Sequence, residues 1–215
     1  MIMEIVSLNI GGPCQISSRG KIVNTGIKKT STQEPVFVAI DGVRGDSVLN
    51  TKHHGGLDQA VYAYRVEDYD WWSGELGRPV TRTTFGENLT LQGISSPALK
   101  IGSQLIFNEV VLEVTAPRIP CQTLNAAMGD PGFSRRFAKV ARSGFYFRVI
   151  KEGQLSAGET FSITEEEKFT ISTVDLFEAN YRHLDEEELK RFLLAPIDIR
   201  TRTKFEGRLE KLRQI

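Results

Sequence analysis

Short runs of β-branched and aromatic residues fill the first three quarters of the chain and constrain its fold more than any other feature. Gly, Pro, Asn and Asp separate these runs, as they do between strands. Many strands at short spacing are typical of a barrel or a sandwich rather than of a doubly wound sheet. We therefore expect a mainly β fold, with strands at residues 4–9, 36–40, 60–64, 104–107, 110–116 and 144–150.

Two helices are predicted to interrupt these strands. The first covers residues 66–76 and stops at Gly77, a residue that commonly ends a helix. The second covers residues 133–142, in which Phe133 and Phe137 recur at helical spacing. Both helices are expected to pack an apolar face against the strands.

Near residue 165 the composition changes from strand-like to helical, which predicts a β domain over 1–165 and a helical domain over 166–215. In the second part, Asp185 is a good N-cap and Glu188 completes a capping box. Its three predicted helices cover residues 174–181, 185–194 and 202–212. We expect a small packing or partner-binding module.

The charge balance argues against nucleic acid and membrane partners. The chain has 27 Lys and Arg against 27 Asp and Glu, so it has no net field to attract a polyanion. The helical part is also balanced, whereas a DNA-binding module carries a cationic face. No basic leader or long apolar run is evident, so we expect a cytoplasmic protein.

A cysteine on a stiff loop is the first candidate for chemistry. Cys121 follows Pro117 and Pro120, which cannot extend a strand or a helix, so the chain must leave the sheet there. Arg118 lies three residues before it, and a neighbouring cation lowers a thiol pKa. The alternative is an inert, buried cysteine.

Two further motifs offer polar groups. In the segment 52–58, Gly55 and Gly56 expose backbone N–H donors to an anion, beside the charge-assisted donors of Lys52 and His54. An ordinary Gly-Gly turn is the alternative. The segment Phe-Gly-Glu-Asn-Leu at 85–89 places Asn88 where a strand enters the core, or else forms a β-bulge. Asn125 follows Cys121 closely enough to orient a ligand of the thiol.

Taken together, these motifs resemble the MOSC domain, named for the C-terminal part of molybdenum cofactor sulfurase. The resemblance rests on His-Gly-Gly at 54–56, Phe-Gly-Glu-Asn-Leu at 85–89 and Pro-Arg-x-Pro-Cys at 117–121, in that order. It implies a MOSC-type β-barrel with a few helices. From about Phe169 the chain is similar to the three-helix appendage of the branch that includes 6-N-hydroxylaminopurine resistance proteins.

The resemblance also implies a bound molybdenum cofactor, in which the metal is held by molybdopterin. Cys121 is at the position of the family cysteine whose thiolate binds the metal, and a soft thiolate suits such a metal. For the cofactor phosphate we expect a cradle of Lys52, His54, Gly55, Gly56 and Arg118. Asn88 and Asn125 are expected to bond the amide-like edge of the pterin.

By resemblance, the function is reduction of small N-hydroxylated compounds, such as 6-N-hydroxylaminopurine, to the amine. No nucleotide-binding glycine motif follows a strand, so a separate flavin-containing reductase is expected as electron donor. The helical segment is one candidate docking surface, and a second copy, forming a homodimer, is another candidate partner. Three alternatives stay open: a non-catalytic carrier or sensor of the cofactor or a sulfur species, a thiol enzyme using Cys121 with His54, and a zinc site of His53, His54 and Cys121.

Overall fold

The structure is a computed structural model and describes residues 2–18, 20–51 and 54–214. Lys52 and His53, two residues of the predicted site, therefore lie outside the described residues. Strands make up most of the first part of the chain. In chain order they are β1 (Glu4–Ile10), β2 (Cys14–Ser18), β3 (Lys21–Thr25), β4 (Thr30–Thr32), β5 (Val36–Ala39), β6 (Gly42–Val43), β7 (Val61–Arg65), β8 (Leu89–Gln92), β9 (Gln104–Ile106), β10 (Val111–Pro117), β11 (Phe145–Lys151), β12 (Gly153–Leu155) and β13 (Ser162–Thr164).

Three helices lie between the strands and three follow them in the described part of the chain. They are α1 (Val66–Leu76), α2 (Gln122–Met128), α3 (Phe133–Val140), α4 (Thr173–Ala179), α5 (Glu186–Leu194) and α6 (Ile199–Leu212). A short 3-10 helix covers Leu57–Gln59. The structure confirms the predicted helix over 66–76 and the three predicted C-terminal helices, although α2 was not predicted.

Eight strands form the main sheet, in the order β13-β9-β10-β11-β7-β8-β1-β4. Neighbours in this sheet are antiparallel except for β7 and β8, which are parallel. A second sheet has the order β12-β5-β6, and β2 with β3 forms a hairpin. Through the shared neighbour β11, the end of β10 lies level with the middle of β7, since Pro117 and Ala63 both pair with Phe145.

Strand β10 illustrates how the sequence determines where the candidate thiol lies. Leu112 and Val114 are fully buried and alternate with partly exposed residues, which is the pattern of a strand with one face on the core. The strand pairs with β11 up to Pro117. A further proline at 120 prevents its continuation, so the chain turns out of the sheet and reaches Cys121.

The fold is mainly β, as predicted, but a closed barrel is not confirmed. The main sheet begins at β13 and ends at β4, and no ladder joins these two edges within the described ranges. Instead, the loop before β13 bonds to β1, through Ile5 N–H to the Glu159 carbonyl at 2.9 Å and Gly158 N–H to the Ile5 carbonyl at 2.7 Å. The sheet therefore curls round, but a loop rather than a strand pair makes the contact.

One hydrophobic cluster connects the sheet to the C-terminal helices. It contains sheet residues such as Leu112 and Phe147 together with Leu176, Phe192 and Phe205 from the helices, all of them fully buried. The helical segment therefore packs on the core of the sheet. A second cluster surrounds Trp72 on α1 and Phe133 and Phe137 on α3. In the described residues, no helix is both long enough and apolar enough to cross a membrane.

Candidate functional site

A cleft with an empty volume of about 770 Å³, which includes open solvent, lies between the β2–β3 hairpin, the turn before β7 and the loop that follows β10. Among the residues that line it are the predicted site residues His54, Gly55, Asn88, Arg118 and Cys121. The structure therefore brings three separate sequence motifs to one cavity.

Cys121 lies at the start of α2 and is partly buried. Its backbone is extended (φ −123°, ψ 173°), as is usual for the residue that precedes a helix, and its carbonyl accepts a bond from Leu124 N–H at 3.1 Å. The helix ends at Gly129 in the left-handed conformation. The thiol is thus fixed by a proline-ended strand on one side and a helical turn on the other.

The neighbours of Cys121 favour its thiolate. Burial alone raises the pKa of a thiol, but hydrogen bonding to His54, the charge of Arg118 and the Leu124 N–H outweigh it. Together they lower the pKa of Cys121 from 9.0 to about 6. At neutral pH the cleft therefore presents an ionised, nucleophilic sulfur rather than an inert thiol.

Arg118 is the buried cation of the cleft, with 5% of its surface exposed. Its Nη1 donates to the Phe85 carbonyl, and its guanidinium carbon lies 5.2 Å from the centre of the Tyr62 ring. Its Nε is buried and has no hydrogen-bond partner among the described residues. A buried, unpaired donor on a charged group is costly unless a ligand pairs with it.

The two glycines of the predicted anion cradle have positive φ angles, 69° at Gly55 and 84° at Gly56. Both angles lie in the region that favours glycine, so the turn depends on these residues. We call Gly55 and Gly56 the diglycine turn. Gly55 is buried and lines the cleft, whereas Gly56 is exposed and is absent from the described residues that line it. Of the two glycines that we expected in the anion cradle, only Gly55 therefore lines the cleft.

Sequence reasoning missed a buried ion pair in the cleft wall. Lys29 pairs with Asp46, and the side chains of both residues are 6% exposed. Burial lowers the pKa of Lys29 more than the attraction of Asp46 raises it. Lys29 lies outside any recognisable motif, and only the tertiary fold brings it to the cleft. It adds a second basic side chain to the cleft, beside Arg118.

Asn88 lines the cleft, but the protein already uses its amide. The Oδ1 atom accepts from Tyr62 N–H at 3.2 Å, and Nδ2 donates to Asp46 at 2.9 Å and to the Asn9 carbonyl at 3.4 Å. Asn88 therefore orients Asp46 rather than offering free groups to a pterin.

Asn125 does not line the cleft formed by the described residues, contrary to expectation. Its Oδ1 accepts from Ser134 N–H at 2.6 Å, and its Nδ2 donates to the Pro131 carbonyl at 2.9 Å. These bonds close the connection between α2 and α3 and satisfy the amide. Within the described residues, Asn125 therefore joins α2 to α3 through bonds to the protein itself.

A second cavity of about 610 Å³ adjoins the cleft on the side of the C-terminal helices. His54, Gln59 and Tyr146 line both cavities and so separate them. Asn180 and Lys204, from the helical segment, line only the second. The C-terminal segment therefore forms part of the surroundings of the site.

No group of three or more His, Cys, Asp or Glu side chains that could hold a metal ion occurs in the described ranges. The zinc alternative, which needs His53, falls partly outside those ranges. A metal brought by its own organic ligand needs fewer protein ligands. The single thiol Cys121 is compatible with that second arrangement.

The sequence pattern of the MOSC domain matches residues 50–162, more than half of the chain, and the chain belongs to the MOSC domain family. Within the family it is similar to YiiM over its whole length. The crystal structure of YiiM from Geobacillus stearothermophilus has a TM-score of 0.80 and 29% sequence identity, covering 96% of this chain and 99% of that one. The fold and its helical segment are thus those of a YiiM-like member.

Two sequence relatives agree with this assignment. The uncharacterized protein YflK of Bacillus subtilis (strain 168) is 33% identical over 178 residues, which are 83% of this chain and 80% of YflK. A Gibberella moniliformis protein named Reductase is 33% identical over 150 residues, 68% of this chain. This chain corresponds to 27% of that longer protein.

Proposed function

We propose that this protein binds the molybdenum cofactor in the cleft and reduces small N-hydroxylated compounds, such as 6-N-hydroxylaminopurine, to the amine. The observation that carries the proposal is the Cys121 thiol, which lines one cleft with Arg118 and His54 and whose pKa is lowered to about 6. MOSC domains are associated with this cofactor, and one relative is named a reductase.

The residues of the cleft fit such a group. Cys121 offers a soft thiolate, which suits a metal already bound by sulfur. Arg118, with its unpaired Nε, and Lys29 place positive charge in the cavity wall, where an anionic phosphate is favoured. The N–H of Gly55 is a further candidate donor. Lys52, which lies outside the described residues, stays a prediction.

When bound, the cofactor supplies the two-electron chemistry of the reduction. The chain would contribute the rest. Cys121 would hold the metal, Arg118 and Lys29 would fix the phosphate, and His54 would keep the thiol ionised. Tyr62 and Tyr146, whose ring centres are 4.9 Å apart, provide an aromatic wall for a planar substrate.

The electron donor is proposed to be a separate flavin-containing reductase. A homodimer and a cytoplasmic location are likewise proposals that await measurement. The helical segment is less suited to donor docking than the sequence suggested, because much of its apolar surface already packs against the sheet.

Reconstitution tests the proposal. Full-length protein would be incubated with isolated molybdenum cofactor, and bound molybdenum, bound pterin and reduction of 6-N-hydroxylaminopurine by a chemical two-electron donor would be measured. Cys121→Ser is the test variant, and Cys14→Ser is its matched control at the other free cysteine. We expect Cys121→Ser to reduce turnover by about a hundredfold or more, since removal of metal-site partners costs that order.

The control is expected to retain full activity. Wild-type protein that binds molybdenum and pterin but never turns over an N-hydroxylated substrate would instead support a carrier. Wild-type protein that acts on thiol-reactive substrates without molybdenum would support the thiol enzyme.

A further inference from the structure

We propose that the second cavity holds the sugar and phosphate of a nucleotide substrate, with Asp198 accepting from a ribose hydroxyl and Lys204 pairing with the phosphate. The inference rests on the proposed function in that the base of this substrate would lie in the first cleft. It narrows the substrate class from free N-hydroxylated bases to N-hydroxylated nucleotides. It also gives the C-terminal helices a role in substrate binding.

A buried carboxylate oxygen without a partner carries the inference. Asp198 lines the second cavity and is 1% exposed. Its Oδ1 atom accepts from the backbone N–H groups of Arg200 and Thr201, each at 3.2 Å, and from Gln59 Nε2 at 3.3 Å. Its Oδ2 atom is buried and has no hydrogen-bond partner in the described part of the chain. Such an oxygen is costly to bury unless a ligand donates to it.

The neighbouring cations indicate which kind of donor fits the free oxygen. Lys204 and Arg200, both on α6, line the same cavity, and Lys204 is exposed. A cationic ligand at Asp198 would therefore be repelled by two positive charges close by. A neutral hydroxyl at Asp198, joined to an anionic group at Lys204, matches this charge pattern. A ribose phosphate has both groups.

Lys204 rather than Arg200 is the cation that remains available to an anion. The two Nη atoms of Arg200 already donate to three backbone carbonyls of the loop that contains the diglycine turn, at 2.7, 2.9 and 3.2 Å. The Lys204 ammonium, by contrast, bonds only to Asn180 Oδ1 within the described ranges, at 2.7 Å. An ammonium has further N–H donors, which a phosphate can accept.

The two cavities adjoin in a way that suits one molecule. His54, Gln59 and Tyr146 line both of them. The Tyr146 ring belongs to the aromatic wall proposed for the base, since its centre is 4.9 Å from that of Tyr62. Tyr146 therefore lies where the base would join the sugar. Acidic side chains bind ribose hydroxyls in other nucleotide sites, and lysine commonly binds phosphate.

Binding measurements on full-length protein without molybdenum cofactor test the inference. Isothermal titration calorimetry would compare AMP, adenosine, adenine and ribose 5-phosphate, which are unreactive probes of the base, sugar and phosphate positions. We expect AMP to bind about tenfold more tightly than adenosine, because only AMP has the phosphate. Adenosine should bind more tightly than adenine, because only adenosine has the ribose hydroxyls.

Two variants assign these contacts to residues. Asp198→Asn keeps an oxygen for the α6 cap but removes the free acceptor, so it should weaken AMP and adenosine about tenfold and leave adenine unchanged. Lys204→Met should weaken AMP about fivefold and leave adenosine unchanged. Asp185→Asn, at the α5 cap, and Lys211→Met, on α6, are the matched controls, because among the described residues neither lines either cavity. Both controls should match the parent.

An AMP affinity that Lys204→Met leaves unchanged would place the phosphate elsewhere and overturn the inference. So would equal losses in the variants and their controls, or undetectable binding of both AMP and ribose 5-phosphate. Should Asp198→Asn not fold, Lys204→Met decides the question, since that side chain is exposed. No measurement uses molybdenum or turnover, so failure of the proposed reductase activity leaves this test unaffected. A protein that reduces the free base but binds no nucleotide would retain the proposed function and reject this inference.

Discussion

Burial and charge act in opposite directions on the Cys121 thiol. Burial raises the pKa, and the surrounding donors and the Arg118 charge lower it by more. A partly enclosed thiolate of this kind keeps its nucleophilicity while bulk solvent is limited. The residue-scale property that matters for function is therefore a balance between Cys121, its sequence neighbour Arg118 and the distant residue His54.

The first prediction concerns the pH dependence of this thiol. Because the pKa of Cys121 is lowered to about 6, the thiolate persists down to about that pH and is lost as the pH falls through it. Iodoacetamide alkylation of the folded Cys14→Ser protein should rise with pH and be half-maximal near pH 6. In the urea-unfolded chain it should be half-maximal near about 8.5, the value of a free cysteine. Coincident profiles for the folded and unfolded protein would contradict this assignment.

The second prediction compares Asn88 and Asn125, the two residues that the sequence predicted to contact the pterin. Asn88→Ala leaves Tyr62 N–H without its partner and removes one of the donors to Asp46, which keeps Lys29, and should lower the free energy of unfolding by about 2–3 kcal/mol. Asn125→Ala removes the bonds that join α2 to α3 and should cost about 1–2 kcal/mol.

Both stabilities would be measured by urea unfolding, and Cys121 alkylation would serve as a readout of the site. We expect Asn125→Ala to leave the alkylation rate unchanged, since its side chain lies away from the cleft. A reduced alkylation rate in Asn125→Ala would show that Asn125 contributes to the site.

The sequence predicted those site residues that lie together in one short motif. It missed residues that are distant in the sequence and meet the site only in the folded protein. Arg118 and Cys121 lie three residues apart, so their interaction was visible in the sequence. Lys29 and Arg200 have no motif around them. The tertiary fold alone brings Lys29 to the cleft, and the packing of α6 brings Arg200 to the diglycine turn.

At the scale of elements, capping signals were the most reliable guide. Asp185 caps α5 and Glu188 completes its capping box, as the spacing predicted. By contrast, β4, β12 and β13 are three residues long, too short for an alternating pattern to be recognised. The prolines before α2 masked that helix, because they were interpreted as the start of a loop.

The third prediction tests the α5 cap. The Asp185 side chain accepts from Glu188 N–H at 2.8 Å, and the Glu188 side chain accepts in return from Asp185 N–H at 3.2 Å. Asp185→Ala should lower the free energy of unfolding by about 1 kcal/mol, whereas Asp185→Ser should retain most of it. Thermal unfolding followed by circular dichroism compares the two variants. Equal loss in both would show that the cap is not what stabilises the helix.

For the whole molecule, the main question is whether the segments 1–165 and 166–215 fold independently. The sequence suggested two domains from a change in composition. In the structure, a single hydrophobic cluster crosses that boundary, and the diglycine turn is bonded to α6. Because the two segments share this core, we predict that they unfold as one cooperative unit.

The fourth prediction follows from this shared core. Phe205 is fully buried on α6, with its ring centre 5.6 Å from that of Phe192, and belongs to the cluster that includes the sheet. Phe205→Ala should therefore cost about 3–5 kcal/mol, because it leaves a cavity in that cluster. In a chain of this size the midpoint of thermal unfolding should fall by about 10 °C or more. Leu194→Ala is the control, since that side chain is 72% exposed in the same segment.

Calorimetry, helical circular dichroism and tryptophan fluorescence should give the same midpoint in Phe205→Ala, because both tryptophans are on α1 and report the first segment. Since the diglycine turn is bonded to α6, the alkylation rate of Cys121 should change to that of the unfolded chain at the same temperature. An early loss of helical signal, with tryptophan fluorescence and thiol reactivity unchanged, would mean that the C-terminal segment unfolds independently. It would also mean that the cleft keeps its geometry without the bonds from Arg200 to the diglycine turn.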